Sequence, residues 1–218
     1  MSDILIPKVF HRFWDGPEEP EYVQDITQKW IDLHPGWEVR TWNLSNMPVL
    51  RNQDLVDNWA TVSPTSNQWQ FTTNLLRLEI LHDLGGVWID ADLEPLKNVE
   101  PLIEGCEAFT SRENPNFVNN GFTGCVPGHV YYVRMLEQVR DRVLSNPSWR
   151  SNRQCGPHLY TAVLDQLPEG TVRVLPTELI YPYSWGELDK FGEFNGDYGD
   201  AYTVHHWNNH RNKVGKRL

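Results

Sequence analysis

The sequence has few of the features that mark secreted, membrane-spanning or metal-clustered proteins. Its three cysteines form no Cys-x-x-Cys pair, and their number is odd, which disfavours a disulfide framework and a zinc cluster. No apolar run approaches the roughly 18 residues of a membrane span, and the N-terminal residues lack the pattern of a signal peptide. These absences predict a cytoplasmic protein of microbial or viral origin rather than a Golgi protein.

The sequence also has too little positive charge for a duplex nucleic-acid partner. Nineteen Lys and Arg stand against 29 Asp and Glu, for a net charge of −10. The one local basic cluster is the tail from His210 to Arg217, whereas a duplex binder needs a basic surface. Tryptophan, by contrast, is abundant, with ten residues. Its broad apolar ring suits stacking on bases or sugars, although burial in a core is the commoner use.

Strand-like and helix-like segments alternate along the chain, which is typical of an α/β domain with a mainly parallel sheet. Strands are expected at 4–13, 37–42, 87–89, 108–110, 122–126, 172–175 and 202–204. Helices are expected at 21–34, 54–59, 67–84, 130–144 and 156–167. Residues 189–200 are acidic and rich in glycine, so a loop is expected there.

The helix expected at 67–84 carries apolar residues on two stripes, with Glu79 and Asp83 facing outward between them. On the opposite side lie Gln70, Asn74 and Arg77. A polar side of an otherwise packed helix is expected to face a cleft, because an arginine buried without partners is costly. The alternative is an Arg77 satisfied by a structural carboxylate.

Two carboxylates, Asp90 and Asp92, follow the short apolar strand at 87–89. If the strand continues through them, residues i and i+2 point the same way and the carboxylates converge. Ligand sites of open α/β sheets form at the carboxyl ends of strands. Two hard oxygen ligands at such an end suit Mg²⁺ or Mn²⁺ holding a diphosphate, although an isolated Asp-x-Asp pair is a weak signal.

The surrounding residues make this signal specific. Asn74-Leu-Leu-Arg-Leu-Glu-Ile-Leu81 and Leu84-Gly-Gly-Val-Trp-Ile-Asp-Ala-Asp92 closely resemble the DXD-containing sugar-transferase family. That family includes yeast outer-chain mannosyltransferases, α1,4-galactosyltransferases, bacterial capsule glycosyltransferases and, distantly, large clostridial glucosylating toxins. Further similar segments are Ile6–Trp14, Asn119–Gly124 followed by Pro127-Gly128-His129, Gly156-Pro157 and Val204–Asn208. The resemblance therefore spans nearly the whole chain.

The resemblance implies a single glycosyltransferase domain over residues 1–218 with a GT-A fold, a Rossmann-like α/β/α sandwich. Residues 1–100 would mainly bind the nucleotide sugar, and residues 101–218 would serve the acceptor and complete the metal site. It implies a retaining transfer of a hexose from a nucleotide-diphosphate sugar, most commonly a UDP-sugar, with Mn²⁺ or Mg²⁺. The acceptor stays open among a glycan, a lipid-linked sugar, a protein and a modified base.

By the same resemblance, individual residues receive roles. Asp90, Asp92 and His205 would hold the metal, while His206 would point away. Arg77, Asp90 and Asp92 would act in catalysis. The donor would be bound by Phe13, Trp14, Asn74, Arg77, Trp88, Asp90, Asn120, Trp207 and Arg211, with Trp14 stacking on the base and Arg211 neutralising the diphosphate. Polar loops at 113–117 and 189–200 would contact the acceptor.

Several alternatives remain open on the sequence alone. The family commonly has Asp where this chain has Asn74, which indicates altered donor preference or weak activity. An inactive nucleotide-sugar-binding module is therefore one alternative. A phosphatase of the haloacid-dehalogenase type, with Asp90 as its nucleophile, is another. No carboxylate is identified as a nucleophile for the transfer, so the family resemblance implies a front-face path through an oxocarbenium-like state.

Overall fold

The computed structural model describes residues 3–16, 18–187 and 197–207. The strands are β1 Val9–Phe13, β2 Glu38–Trp42, β3 Gly86–Ile89, β4 Leu93–Pro95, β5 Ala108–Asn114, β6 Phe117–Cys125, β7 Arg173–Leu175 and β8 Thr203–His205. The helices are α1 Glu21–Leu33, α2 Gln53–Asp57, α3 Trp59–Val62, α4 Gln68–Leu84, α5 Glu100–Ile103, α6 Val130–Ser145, α7 Ser151–Gln154, α8 Pro157–Leu164 and α9 Thr177–Ile180.

The central sheet has six strands in the order β2-β1-β3-β6-β5-β7. β1 pairs in parallel with β2 and β3, and β5 pairs in parallel with β7. β6 is antiparallel to both of its neighbours, β3 and β5. Five strands therefore run in one direction and β6 runs against them, so the prediction of a mostly parallel sheet is confirmed.

Helices cover both faces of this sheet, because successive strand residues point to opposite sides. In β3, Trp88 joins the core under α4, α6 and α8, whereas Val87 and Ile89 join the core with α1, α5 and α9. The expected three-layer α/β/α sandwich is confirmed. In the described part of the chain, no helix is both long and apolar enough to cross a membrane.

Two glycines allow the tight passage from α4 into β3. Gly85 and Gly86 have positive φ angles of 64° and 90°. A Cβ on Gly85 would lie 2.7 Å from the Cys125 carbonyl oxygen, and one on Gly86 would lie 2.8 Å from the Val9 carbonyl oxygen. Both the backbone conformation and the close approach of neighbouring backbone therefore require glycine here. This passage fixes where β3 delivers its last residues.

The strand expected at 87–89 is present, but it does not continue through the two aspartates, so the condition for their convergence by strand alternation is not met. β3 ends at Ile89, and Asp90 to Asp92 form a turn in which Leu93 N donates to the Asp90 carbonyl oxygen at 2.9 Å. The chain then starts β4, which belongs to a separate two-stranded sheet with β8. The two carboxylates are brought near each other by a turn, not by the alternation of a strand.

The expectation that Glu79 faces outward is also wrong. Its side chain is 3% exposed, and its carboxylate accepts hydrogen bonds from Arg51 N at 2.6 Å and from Asn52 N and Nδ2 at 3.1 Å. The loop before α2 covers this side of α4, so the carboxylate satisfies backbone donors of the loop. Gln70, expected to face the cleft, is exposed.

His11 provides a prediction about stability in acid. Its ring is buried, with Nε2 donating to the Gly85 carbonyl oxygen at 3.0 Å and Nδ1 accepting from Trp42 Nε1 at 3.2 Å. A proton on His11 Nδ1 would make that nitrogen a donor facing the Trp42 Nε1 donor, and the hydrogen bond between them would be lost. Burial accordingly lowers the pKa of His11 to about 4, despite the bond to Gly85.

Because the folded pKa lies below the usual value near 6.5, the unfolded chain binds the proton more readily. The free energy of unfolding is therefore expected to be highest above pH 6.5 and to fall by about 3 kcal/mol between pH 6.5 and pH 4 through this residue. Urea unfolding at several pH values checks this, with His11→Gln as the non-titrating comparison. The variant should lose less stability over that interval, and parallel curves for the two proteins would contradict the prediction.

Candidate active site

The candidate site lies at the carboxyl ends of β1 and β3. Register pairs Phe10 with Val87 and His11 with Trp88, so Phe13, at the end of β1, lies level with Asp90. Trp14 follows directly, its backbone N–H donating to the Trp42 carbonyl oxygen at 2.9 Å. The first and third strands thus deliver predicted donor-binding residues and the DXD carboxylates to one edge, as expected for an open α/β sheet.

Arg77 links α4 to the DXD turn. Its guanidinium donates to Asn74 Oδ1 at 2.8 Å and to Asp90 Oδ1 at 2.7 Å, and it lies over the Trp88 ring, 4.8 Å from the centroid. The residue is 3% exposed. The sequence left two alternatives for Arg77: facing a cleft, or pairing with a structural carboxylate. The structure combines them, because the carboxylate that pairs with Arg77 belongs to the DXD motif.

Asn74 occupies the position where the family commonly has Asp. Its Oδ1 accepts hydrogen bonds from Arg77 Nη1 at 2.8 Å and from Asn120 Nδ2 at 3.0 Å. Asn120 lies on β6, so this oxygen joins α4 to the sheet inside the site. A neutral amide oxygen accepts both donors, and the site retains this network without the carboxylate.

His205 reaches the DXD turn through the β4–β8 pair. Leu93 of β4 pairs with His205 of β8, directly after the DXD turn. His205 Nε2 lies 3.4 Å from Asp92 Oδ1 and 3.6 Å from Asp90 Oδ2. The structure therefore brings together the three residues predicted as metal ligands, although His205 lies far along the chain from the two aspartates.

The charges of these groups are strongly coupled. Burial works to raise the pKa of Asp90, but Arg77, His205 and Trp88 together outweigh it, and the pKa is lowered well below its ordinary value. Burial works to lower the pKa of His205, but the negative charges of Asp92 and Asp90 outweigh it and the pKa is raised. The space between the carboxylates therefore favours positive charge.

The side chain of His206, the residue directly after β8, pairs with Glu94 of β4 and not with the aspartates. Its Nε2 lies 2.7 Å from Glu94 Oε2, and Glu94 also pairs with Lys29 of α1. The bond from His206 lowers the pKa of Glu94 to about 2. His206 N donates to the Asp92 carbonyl oxygen at 2.9 Å. These contacts fix β8 against β4 and thereby aim His205 at the aspartates.

The predicted tryptophans differ in their placement. Trp88 is fully buried, and its Nε1 donates to Asp90 Oδ1 at 3.1 Å. This hydrogen bond helps to fix the position of the carboxylate. Trp207 has a left-handed φ of 53°, contacts His205 with a centroid distance of 4.1 Å, and donates from Nε1 to the Tyr183 carbonyl oxygen. Trp14 is half-buried.

Part of the predicted site lies outside the described residues. Arg211 and residues 189–196 of the expected acceptor loop belong there. Their roles stay predictions.

Two further residues lie at the site: Gly121, which received no role of its own from the sequence, and Glu113, which the sequence placed only within the expected acceptor segment 113–117. A Cβ on Gly121 would lie 2.8 Å from Asp90 Oδ2, so only glycine leaves room for that carboxylate. Glu113, at the end of β5, accepts a bond from Asn119 Nδ2 at 2.7 Å, and its charge interacts with His205. Burial raises the pKa of Glu113. The Asn119-Asn120-Gly121 motif was a usable signal for the glycine, and Glu113 begins the polar segment 113–117 that was expected to contact the acceptor.

The donor set at the DXD turn has the chemistry of a divalent-cation site. Two carboxylates offer hard oxygens and His205 offers an imidazole nitrogen, a combination that suits Mn²⁺. Within residues 3–16, 18–187 and 197–207, no group of three or more His, Cys, Asp or Glu side chains is already arranged to hold a metal ion. The residue types nevertheless have the chemistry that a divalent cation requires.

Comparisons with known proteins identify the central block. Residues 20–108 match the family described as glycosyltransferase sugar-binding region containing DXD motif. The chain is 25% identical to the mannosyl phosphorylinositol ceramide synthase SUR1 of Saccharomyces cerevisiae, over 94% of this chain and 56% of that protein. The chain spans about half the length of the curated relatives it matches. The resemblance to DXD sugar transferases is confirmed.

Solved structures show the same fold. The PaToxG glycosyltransferase matches with a TM-score of 0.56 at 16% identity, over 74% of this chain and 69% of that chain. A glycosyltransferase involved in the glycosylation of the major capsid of PBCV-1 matches with a TM-score of 0.54 at 12% identity, over 96% and 100% of the two chains. At such identity the likeness concerns the fold alone, and it confirms the GT-A architecture.

Proposed function

We propose that this chain, which carries the DXD-containing sugar-binding region of glycosyltransferases, transfers a hexose from a nucleotide-diphosphate sugar to an acceptor in a metal-dependent reaction. The observation that carries the proposal is the convergence of Asp90, Asp92 and His205 beside the buried Arg77. A phosphatase using Asp90 has no comparable support, because the matched family and relatives are sugar transferases.

In this proposal, Asp90, Asp92 and His205 hold a divalent cation, Mn²⁺ or Mg²⁺. When bound, the cation supplies positive charge for the diphosphate leaving group. Arg77 holds Asp90 in place and adds charge next to the reacting sugar. Its Nε is buried and has no hydrogen-bond partner among the described residues, so it keeps one donor for a substrate oxygen.

The donor and acceptor are proposed from the resemblance and the relatives. UDP-sugars are the usual donors of similar enzymes, whereas the name of the yeast relative indicates mannosyl transfer and a phosphorylinositol lipid acceptor. Trp14, Phe13, Asn74 and Asn120 would bind the donor. Glu113 would contact the acceptor hydroxyl, since it belongs to the segment expected to face the acceptor and its charge interacts with His205.

Retention of configuration follows in this proposal from a front-face path. The acceptor attacks from the side on which the diphosphate leaves, and Arg77 stabilises the developing negative charge electrostatically. Trp88 and Asn74 keep the guanidinium fixed during this step through the contacts described above.

A panel of UDP-glucose, UDP-galactose, UDP-N-acetylglucosamine and GDP-mannose tests the proposal, with and without Mn²⁺. The correct donor is expected to raise Tm by several degrees only with the metal, and to release free sugar slowly by hydrolysis. Metal-dependent binding without hydrolysis or transfer for any donor would indicate a binding module instead. Absence of any thermal shift would refute the proposal, and a phosphoryl group trapped on Asp90 would support the phosphatase.

Glu94→Ala is expected to weaken Mn²⁺ binding about tenfold, because outer residues that orient metal ligands typically contribute that much. The variant removes the partner of His206 and Lys29 and so frees β8, but it leaves Asp90, Asp92 and His205 intact. The measurement is the Mn²⁺ concentration that gives half-maximal donor hydrolysis. Glu100→Ala, which removes a carboxylate paired with Lys8, is the control and should leave that value unchanged. Equal Mn²⁺ requirements for Glu94→Ala and the unmodified protein would contradict this role.

A further inference from the structure

Three arginines form a cationic patch on this otherwise acidic protein. The patch consists of Arg142, in the last turn of α6, together with Arg150 and Arg153, which lie at α7. Trp149 lies among them: the Arg142 guanidinium is 5.2 Å from its ring centroid and that of Arg153 is 4.5 Å away. Arg150 and Arg153 are exposed, and Arg142 is half-buried.

Most arginines elsewhere in the described fold have carboxylate partners, whereas Arg112 and Arg173 donate to backbone carbonyl oxygens. Those with carboxylate partners are Arg12, Arg40, Arg51, Arg77, Arg134 and Arg140. Within the described part of the chain, no carboxylate forms an ion pair with a member of the patch. Instead, Arg142 Nε donates to the Arg153 carbonyl oxygen at 2.8 Å. This bond holds two positive residues together.

This arrangement is electrostatically unfavourable without a counter-ion. Burial and the neighbouring charge of Arg153 both lower the pKa of Arg142. Burial also lowers the pKa of His158, and the charges of Arg153 and Arg142 add to that effect. Cation–π contacts with Trp149 compensate part of the repulsion, but they provide no negative charge. A bound anion would relieve it.

Two contacts connect the segment after the patch with elements of the candidate site. Gly156 lies shortly after α7 and packs closely against α4. A Cβ on Gly156 would lie 3.2 Å from Asn74 Nδ2. His158, which feels the patch charges, packs against Phe117 with a centroid distance of 4.5 Å. Phe117 begins β6, the strand that carries Asn119 and Asn120 into the site. These contacts link the segment that follows Arg150 and Arg153 to Asn74 and to the start of β6.

We propose that the cationic patch binds a phosphoryl group carried by the acceptor substrate, an inference that rests on the proposed transfer reaction. Guanidinium groups match phosphate oxygens with paired N–H donors, and several positive charges suit a phosphoryl group better than a single carboxylate. The donor diphosphate has a separate place, at Asp90 and Asp92. The patch thus selects acceptors that bear a phosphate near the hydroxyl to be modified.

Binding of simple phosphorylated probes tests this inference in the full chain. Soluble myo-inositol 1-phosphate is compared with myo-inositol by calorimetry, and vesicles of phosphatidylcholine with and without phosphatidylinositol are compared by flotation. Arg150→Ala/Arg153→Ala is expected to weaken binding about tenfold or more, because two charge-assisted contacts are lost. Arg134→Ala, an exposed arginine of α6 paired with Glu137, is the matched control and should bind like the unmodified protein.

Binding of the soluble phosphate indicates a free phosphorylated acceptor, and binding only to phosphatidylinositol vesicles indicates a lipid acceptor; either result, lost in the double variant, supports the patch. Equal binding of myo-inositol and its phosphate would overturn the inference. So would a double variant that binds normally, or no binding to either phosphorylated probe. Donor hydrolysis by the unmodified protein is measured separately, so that failure of the proposed transfer activity is distinguished from failure of the patch.

Discussion

Asp92→Ala is expected to lower donor turnover by about a thousandfold or more, equivalent to ~4 kcal/mol of lost transition-state stabilisation. Asp92 Oδ1 faces His205 Nε2 at 3.4 Å, and the space between them favours positive charge. Removing the carboxylate takes away a negative charge that the proposed cation requires. The thermal shift caused by a nucleotide sugar with Mn²⁺ should disappear with the turnover.

The fold of the variant should remain intact, because the backbone hydrogen bond of Asp92 to the residue after β8 does not involve its side chain. Its carbonyl oxygen accepts the His206 N–H, and alanine keeps that bond. Circular dichroism and Tm in the absence of ligand therefore serve as checks. Asp57→Ala removes an exposed carboxylate of α2 and should retain full turnover. Retention of metal-dependent turnover by Asp92→Ala would show that the cation lies elsewhere.

The elements that the sequence predicts best are those governed by local patterns. Helix α4, the Gly85-Gly86 passage and β3 have strong local signals: a long apolar periodicity, a glycine stop and a short apolar run. The approach of Arg77 to Asp90 follows from these elements, since one helix face and the end of the next strand meet at the same edge. The Asp-x-Asp pair alone is a weak signal, and the residues around it make the resemblance to the family specific.

Features that depend on distant segments are less accessible from the sequence. Glu79 is buried because the loop at Arg51 and Asn52 covers its side of α4, and helical periodicity contains no information about that loop. The turn at Asp90 to Asp92 arises because β4 leaves the main sheet to pair with β8. His205 was assigned from resemblance, and only that pairing places it at the aspartates. Glu113 reaches the site through the bulged pairing of β5 with β6.

Arg77→Lys is expected to lower turnover about a hundred- to a thousandfold, while nucleotide binding with Mn²⁺ is largely kept. Lysine retains the charge, but a single ammonium group cannot reproduce the fork that joins Asn74 Oδ1 and Asp90 Oδ1, nor the planar contact over Trp88. Loss of one fixed donor in a site of this kind typically costs two to three orders of magnitude, about 3 to 4 kcal/mol. Steady-state kinetics with the accepted donor, compared with its dissociation constant, separates the two effects.

Arg77→Ala should in addition destabilise the fold by about 3 kcal/mol, because it takes from the buried Asp90 carboxylate the positive charge that does most to lower its pKa. Urea unfolding measures this loss. The Arg140–Asp54 pair offers a matched comparison: its closest contact is also 2.7 Å, but both side chains are largely exposed. Arg140→Ala should change stability little, since exposed pairs are screened by water. Equal losses of unfolding free energy in Arg77→Ala and Arg140→Ala would show that the burial of Arg77 adds nothing to stability. They would also show that Arg77 is not needed to keep Asp90 charged.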